Sequence, residues 1–320
     1  MAAFLSRVRA SSAAVCQQAA HVSIDTAALQ KIAAEFTPQL LSKITSAGSF
    51  DRDIHFFDGG PLTLQYLLVV DALNFCFWPA RGLEYEHLAR GVKAAVEASP
   101  QAISASRLAT MDGPGVQALM GWQTAVPLQE ERARLLREVG EVLNARFAGQ
   151  AAQLVAEAQG SINQLVQLVV TNFPGFQDHA IYRGRQVFLY KRAQIFAGDV
   201  WGAFQGQGLG AFHDIHALTM FADYRVPVVL RQMGILQYSS KLAQQIEDKA
   251  PIHPGSEEEV EIRAGTIQAV ELLKEALHVQ FNNTQLALPH SVQLDWWLWD
   301  AGETARETSP PHHRTLTVFY

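Results

Sequence analysis

Residues 256–281 read SEEEVEIRAGTIQAVELLKEALHVQF, and the fold class is decided here. Ser256 is a ready N-cap, and Glu257, Glu258 and Glu259 fall in the first turn, where the positive end of the helix dipole favours acids. The run from Glu257 to Phe281 contains no proline and keeps a helical apolar period, which predicts one long helix. Working outward, the same period recurs. Thr26 to Ile44 places Leu29, Ile32, Ala33, Phe36, Leu40 and Leu41 on one stripe behind the cap Asp25, with Pro38 set to kink or split it. Leu128 to Phe147 follows Pro127, and Ala151 to Asn172 is interrupted at Gly160-Ser161. Val8 to Ala20 and Lys191 to Phe204 are shorter helical candidates. Strand signals are few: Ala180 to Tyr182, a turn at Arg183-Gly184-Arg185, then Gln186 to Tyr190 read as a hairpin, and Thr315 to Tyr320 as a terminal strand. The expectation is a mainly α protein, one compact helical domain over residues 21–320 with a small β-hairpin. Residues 1–20 form an N-terminal extension or opening helix.

Composition narrows the function. The 320 residues are 48% hydrophobic and 18% charged, enough for a large core, with a formal net charge of −6. Duplex binding draws on Lys and Arg neutralising phosphates, and there is no basic excess to supply it, so a direct nucleic-acid partner is not expected. The most apolar run, Leu62 to Trp78, is broken by Gln65, Asp71 and Asn74 and falls short of the ~20 residues of a membrane span. Cys16 and Cys76 read as two reduced thiols. The first 24 residues hold Arg7 and Arg9 and no acid, so organelle targeting is a second reading of the opening helix, with the cytoplasm as the default. No metal site or cofactor is expected. Gly206, Gly208 and Gly210 follow no strand and make no dinucleotide fingerprint; His213 and His216 around Asp214 read as surface histidines.

Four stretches carry polar groups that a plain core does not explain. Asp51 to Asp58 contains His55 and leads to Asp71 and Asn74, which lie in the most apolar window. Each is an internal cap or turn, or faces a ligand, since an unpartnered buried polar group costs about 1–3 kcal/mol. Lys191 and Arg192 open a helix, where cations are disfavoured; either they are solvated or an anion compensates them. Asp223, between Phe221 and Pro227, is a helix N-cap or an acid perturbed by aromatic neighbours. Asp295-Trp296-Trp297-Leu298-Trp299-Asp300 brackets three of the six tryptophans with two acids. Five helical positions put those acids about 140° apart, so only a bend brings both to one cavity.

Val70 to Phe75 with Phe77-Trp78, Tyr190 to Gln194, Thr219 to Pro227, Val260 to Arg263, Leu294 to Asp300, Pro311 to Arg314 and Phe319-Tyr320 together resemble the queuosine-salvage family. That family consists of queuosine 5′-phosphate N-glycosylase/hydrolases, long catalogued as a domain of unknown function. The resemblance runs from about residue 20 to the end and rests on the order and spacing of motifs that are individually weak. It implies a body similar to helix-hairpin-helix DNA glycosylases. It also implies that His55, Phe221, Asp223, Asp295, Trp296 and Asp300 line a queuine pocket, with Asp295 the catalytic carboxylate. The segment Ala47 to Asp53 departs from the pattern.

The implied chemistry suits those residue types. Breaking a C1′–N bond builds positive charge on the ribose, which a carboxylate stabilises by ~3–4 kcal/mol when preorganised. Queuine is a 7-deazaguanine, so protonation at N7 cannot assist departure. Asp223 and Asp300 suit the cationic aminomethyl cyclopentenediol arm. A 5′-phosphate needs a base from among Lys191, Arg192, Arg225, His312, His313 and Arg314, with Lys191 first; Asp71 is a further candidate contact. The expected partners are queuosine 5′-monophosphate and queuine. A non-catalytic queuine carrier, a nucleic-acid base glycosylase and a phosphorylase are the rival readings.

Overall fold

Ser256 caps its helix as its sequence demands: its side chain accepts from the Glu259 amide, and the helix runs Glu257–Gln280. The computed structural model describes residues 3–46 and 50–320, and of the divergent segment Ala47 to Asp53 residues 47–49 lie outside the described residues. The chain forms two units, each assembled from separated stretches. The first holds Met1–Gly48, His179–Lys191 and His216–Leu316; the second holds Ser49–Asp178, Arg192–Ile215 and Thr317–Tyr320. Both are mainly helical.

In the first unit the Glu257–Gln280 helix is the central post. Helices Ser6–Cys16, Thr26–Ala34, Val226–Gln232 and Ser291–Thr304 pack on it. So many neighbours bury even its polar residues Glu259, Glu261, Arg263, Thr266 and Glu271. The Glu261 carboxylate takes the amides of Ala20, His21 and Val22 and the hydroxyl of Tyr182. Pro38 does split the predicted early helix, into Thr26–Ala34 and Pro38–Ser46. The hairpin pairs His179–Tyr182 with Arg185–Phe188. Its two turn residues, Arg183 and Gly184, have φ of 47° and 77°, the left-handed pair that a two-residue hairpin turn requires. A second antiparallel pair, Val22–Ile24 with Leu236–Tyr238, is three residues long per strand, too short for a periodic signal in the sequence.

In the second unit the helix Pro61–Leu73 is buried on every side from Thr63 to Leu73. Helices Tyr85–Ala98, Gln129–Arg146 and Ala151–Glu157 surround it. Asp58 accepts from the Gly60 and Thr63 amides and from the Thr63 hydroxyl, which starts the helix. Its far end is closed by two buried arginines. Arg132 donates to the carbonyls of Leu73, Phe75 and Cys76 at 2.6, 2.5 and 3.1 Å, and Arg192 donates to those of Ala72 and Gly175. Cations belong at a helix C-terminus, and buried carbonyls left bare would cost about 1–3 kcal/mol each.

One expectation is corrected and one open reading is decided. Thr315 to Tyr320 is not a strand: the tail makes one isolated bridge, Arg314 with Pro251, and otherwise runs as loop. Within the second unit Tyr320 receives the Cys76 amide at 3.0 Å, so the tail serves as a plug for a helix end. Lys191 and Arg192 are not solvated, being 5% and 1% exposed. Burial pulls the Arg192 guanidinium down to about 10, against the raising influence of Asp178, Glu138 and Asp71. Among the described residues no helix is long and apolar enough to cross a membrane.

Candidate functional site

Asp295 sits one turn into the helix Ser291–Thr304 and is 4% exposed. A buried carboxylate must be hydrogen-bonded, and its Oδ1 accepts from the Phe221 amide at 2.8 Å. That bond joins two stretches the sequence separates by seventy-four positions. Both bring the predicted residues. Phe221 is buried, and Asp223 stands half-buried two residues on.

Asp223 is neither the N-cap residue of the next helix nor a solvated acid. Its Oδ1 accepts from the Arg225 and Val226 amides at 3.0 and 2.9 Å, just ahead of the helix Val226–Gln232, whose N-cap residue is Arg225. Burial also raises its pKa, only partly offset by the Lys191 charge, the two amides and Arg225. Lys191 is therefore near enough to feel Asp223, which answers the question of what compensates a cation at a helix start. The residue before it, Tyr190, has φ of 51°. A non-glycine residue in that region is strained, and here it turns the chain from hairpin into helix at Lys191. Tyr190 is held by stacking on Phe4, ring centres 5.5 Å apart.

The loop itself is braced. Arg263, 2% exposed, donates from Nε to the Ala222 carbonyl at 3.1 Å, between Phe221 and Asp223. Glu259 faces the same guanidinium at 3.5 Å. Arg225 is paired with Glu303 at 2.6 Å, and His312 stacks on Tyr224 with centroids 4.5 Å apart. Burial lowers the His312 pKa to about 4, and His313, buried deeper, is also held neutral.

Asp300 is not brought to Asp295. The helix continues unbroken through both, leaving Asp295 buried and Asp300 exposed. Trp296 is half-buried beside Asp295, while Trp297 packs edge-on to Phe36 at 5.1 Å and is a structural tryptophan.

The second unit holds the other two candidates. His55 is 8% exposed and stacked on Phe50, ring centres 4.8 Å apart. Its turn is pinned by Arg90 and Lys93, which donate to the Asp53 carbonyl at 3.1 and 3.2 Å. The Tyr66 hydroxyl donates to the Ala89 carbonyl at 3.0 Å, so its contact with His55 Nδ1 at 3.3 Å requires a proton on Nδ1. Nε2 is then the acceptor. Burial drives the His55 pKa down to about 4, Asp51 opposing and Lys93 and Arg90 assisting. Asp71 is fully buried in the Pro61–Leu73 helix, and Asn74 is the C-cap residue of that helix, the turn reading of its sequence.

One cluster of metal-ligand types stands out among the described residues: His21, Glu257 and Glu261. Glu261 is saturated by amides and Tyr182, and Glu257 pairs with Arg183 at 2.9 Å, so these donors serve the fold. Asp214, flanked by histidines in the sequence, instead accepts from Ser161, Ile162 and Asn163 at the start of the helix Ile162–Asn172. Sequence reasoning missed Arg9, Arg132, Arg263 and Glu271. Only Arg132 carries a signal, with Leu128, Leu135 and Leu136 three and four positions away placing it on a packed face; Arg9, Arg263 and Glu271 each have at least two polar residues among those neighbours.

A helical protein with a buried, amide-held carboxylate beside a half-buried acid, an aromatic and a lysine has the parts of a glycosidic-bond hydrolase. The chain belongs to the queuosine salvage protein family, whose model matches residues 54–320. It is 43% identical to the queuosine 5′-phosphate N-glycosylase/hydrolase of Dictyostelium discoideum, over 99% of each chain. Identity is 42% to the protein of that name from Sphaerobacter thermophilus, over 96% of this chain and 95% of that one. It is 36% to the Mus musculus protein of the same name, over 80% and 82%.

Proposed function

We infer that this chain is an N-glycosyl hydrolase that cleaves the glycosidic bond of queuosine 5′-phosphate and releases queuine. Near full-length identity of 43% and 42% to proteins bearing that activity in their names supports the reading, which makes the substrate a small molecule. Within it, the observation that carries the mechanism is the Phe221 amide on Asp295. An amide donating to Oδ1 favours the ionised carboxylate and fixes its plane. Such an anion, held beneath C1′, stabilises the oxocarbenium-like charge as the C1′–N bond lengthens. The bonding pair leaves with the base nitrogen, and water adds to C1′ with loss of a proton.

Asp223, raised in pKa by burial and close to Lys191, suits the contact to the cationic arm of queuine. Phe221 and Trp296 offer apolar and aromatic faces to a planar base. For the 5′-phosphate, Lys191 remains first. Arg192 is spent on carbonyls of the Pro61–Leu73 helix, Arg225 on Glu303, and His313 is buried and neutral. His55 and Asp71 are proposed as further contacts, and Asp300, being exposed, is the weakest of the set.

The test is queuine release, followed by mass-resolved chromatography, from queuosine 5′-monophosphate and from queuosine. Neither metal nor phosphate is added. Asp295→Asn should lower kcat by roughly a hundredfold or more, the scale of removing one preorganised charge-stabilising group. Full activity in that variant would remove Asp295 from the mechanism. Tight queuine binding without release by the unaltered protein would favour a carrier.

A further inference from the structure

The family match begins at residue 54, yet the helix Ser6–Cys16 reaches the elements that carry the proposed site. Arg9 extends from that helix with all three nitrogens of its fork engaged. Nη1 donates to the Ala217 carbonyl at 2.7 Å, and Nη2 donates to those of Leu218 and His216 at 2.7 and 3.1 Å. Nε donates to Glu271 Oε2 at 2.9 Å. Glu271 is buried, and its other oxygen accepts from the Ser291 hydroxyl at 2.6 Å. Lys274 bridges the same pair, 2.5 Å from Glu271 and 2.9 Å from Ser291.

These bonds close a circuit. Leu218 precedes Phe221 by three residues, and Ser291 precedes Asp295 by about one helical turn. The Phe221 amide on Asp295 Oδ1 completes the ring at 2.8 Å. We propose that Arg9 is a positioning residue for the hydrolysis: it clamps the 216–218 backbone and, through Glu271, the start of the Asp295 helix, so that the Phe221 amide and the Asp295 carboxylate stay in register.

Only arginine offers five donors in a planar fork, and this site uses four acceptors in different directions. The helix that carries it is anchored separately by buried Val8, Ser12 and Val15. Gln268 also holds the Arg9 carbonyl at 3.1 Å, so the backbone of Arg9 stays in place when its side chain is shortened. This separates positioning from folding. The inference rests on Asp295 as the reacting carboxylate.

The experiment compares Arg9→Ala, Arg9→Lys, Val15→Ala and Asp295→Asn in the full chain, with Tm, kcat and KM for queuosine 5′-monophosphate. Arg9→Ala should lose about tenfold to a hundredfold in kcat with KM near the unaltered value, the cost of a carboxylate misplaced by a fraction of an ångström to one. Millimolar guanidinium should restore part of that loss. Arg9→Lys keeps one bond and the charge on Glu271; it should hold Tm and fall between, and it carries the test if Arg9→Ala does not fold. Val15→Ala removes core from the same helix without touching the circuit; it should lower Tm, keep kcat and show no guanidinium response. Equal kcat in Arg9→Ala and the unaltered enzyme would overturn the proposal. So would a kcat loss in Val15→Ala that matches Arg9→Ala at equal Tm. Full activity in Asp295→Asn would overturn its premise, an outcome read independently of Arg9.

Discussion

The Oδ1 atom of Asp223 accepts the Arg225 and Val226 amides, and the carboxylate as a whole carries a raised pKa from burial. Bracing of these amides and ligand contact can therefore be separated by substitution. Asparagine keeps an oxygen acceptor for the two amides, whereas alanine leaves them without it at a cost of about 1 kcal/mol. Asp223→Asn should leave Tm nearly unchanged and raise KM for queuosine 5′-monophosphate, because the charge facing the aminomethyl arm is gone. Asp223→Ala should raise KM and lower Tm. Thermal unfolding beside steady-state kinetics distinguishes them; an Asp223→Asn enzyme with unaltered KM would reduce Asp223 to a brace for the 225–226 amides. Asp295 lies inside its helix and caps nothing, its Oδ1 taking the Phe221 amide at 2.8 Å. An acid set among leucines and tryptophans in an apolar helix is legible in the amino-acid sequence alone. Arg9 and Glu271 are not, because an arginine in an opening helix and an acid in a long one look solvated until their partners 262 positions apart are seen together.

Among elements, the long helices predicted from the sequence are present, but Pro61–Leu73, Tyr85–Ala98, Gly113–Met120 and Ser240–Glu247 are not predicted, although a proline or a cap marks each start. The long helix Glu257–Gln280 has its Ser256 cap and acidic first turn, Pro38 splits the early helix, and Gly160-Ser161 interrupts the later one. The errors over strands were decided by distant partners. The tail Thr315 to Tyr320 has strand composition but plugs a helix end, and the strands Val22–Ile24 and Leu236–Tyr238 exist only through each other. Close packing of the site helix is equally invisible in sequence. Helix Ser291–Thr304 meets helix Val226–Gln232 at Gly302, where an added Cβ would lie 2.8 Å from Arg225 Cγ and 3.0 Å from Val229 Cγ2. Arg225 is tied to Glu303 at 2.6 Å and cannot swing aside without losing that pair. Alanine improves helix propensity by ~1 kcal/mol, but overpacking costs about 1–3 kcal/mol. Gly302→Ala should therefore lower stability on balance, measured as a fall in the urea midpoint with unchanged slope. A rise in the midpoint would mean the two helices have room to part.

Over the whole molecule, buried histidines add to the lowered carboxylates Asp58, Asp214 and Glu271 in making the fold sensitive to acid. His55 in one unit and His312 and His313 in the other are all kept neutral, chiefly by burial. In the unfolded chain His55 takes a proton near its ordinary 6.5; folded, it resists until about 4. Between those values unfolding takes up protons, so falling pH favours the unfolded state. The sign is fixed: stability is flat above the ordinary histidine range, declines as pH drops from 6.5 towards 4, and levels below that for this group. The loss from His55 alone is bounded at roughly 3 kcal/mol, since each pKa unit corresponds to about 1.4 kcal/mol. His312, lowered to about 4, and His313 act in the same direction. Asp223 opposes them at the acid end, because its raised pKa lets the folded state take its proton first. Urea midpoints at pH 7.5, 6.0 and 5.0 should fall monotonically. His55→Gln, which keeps a side-chain donor towards Tyr66 but cannot titrate, should flatten the slope while starting from a lower midpoint at pH 7.5. An unaltered slope in that variant would mean that His55 takes its proton as readily folded as unfolded, and below its ordinary pKa its Nε2 could then no longer serve as the hydrogen-bond acceptor that its contact with Tyr66 implies.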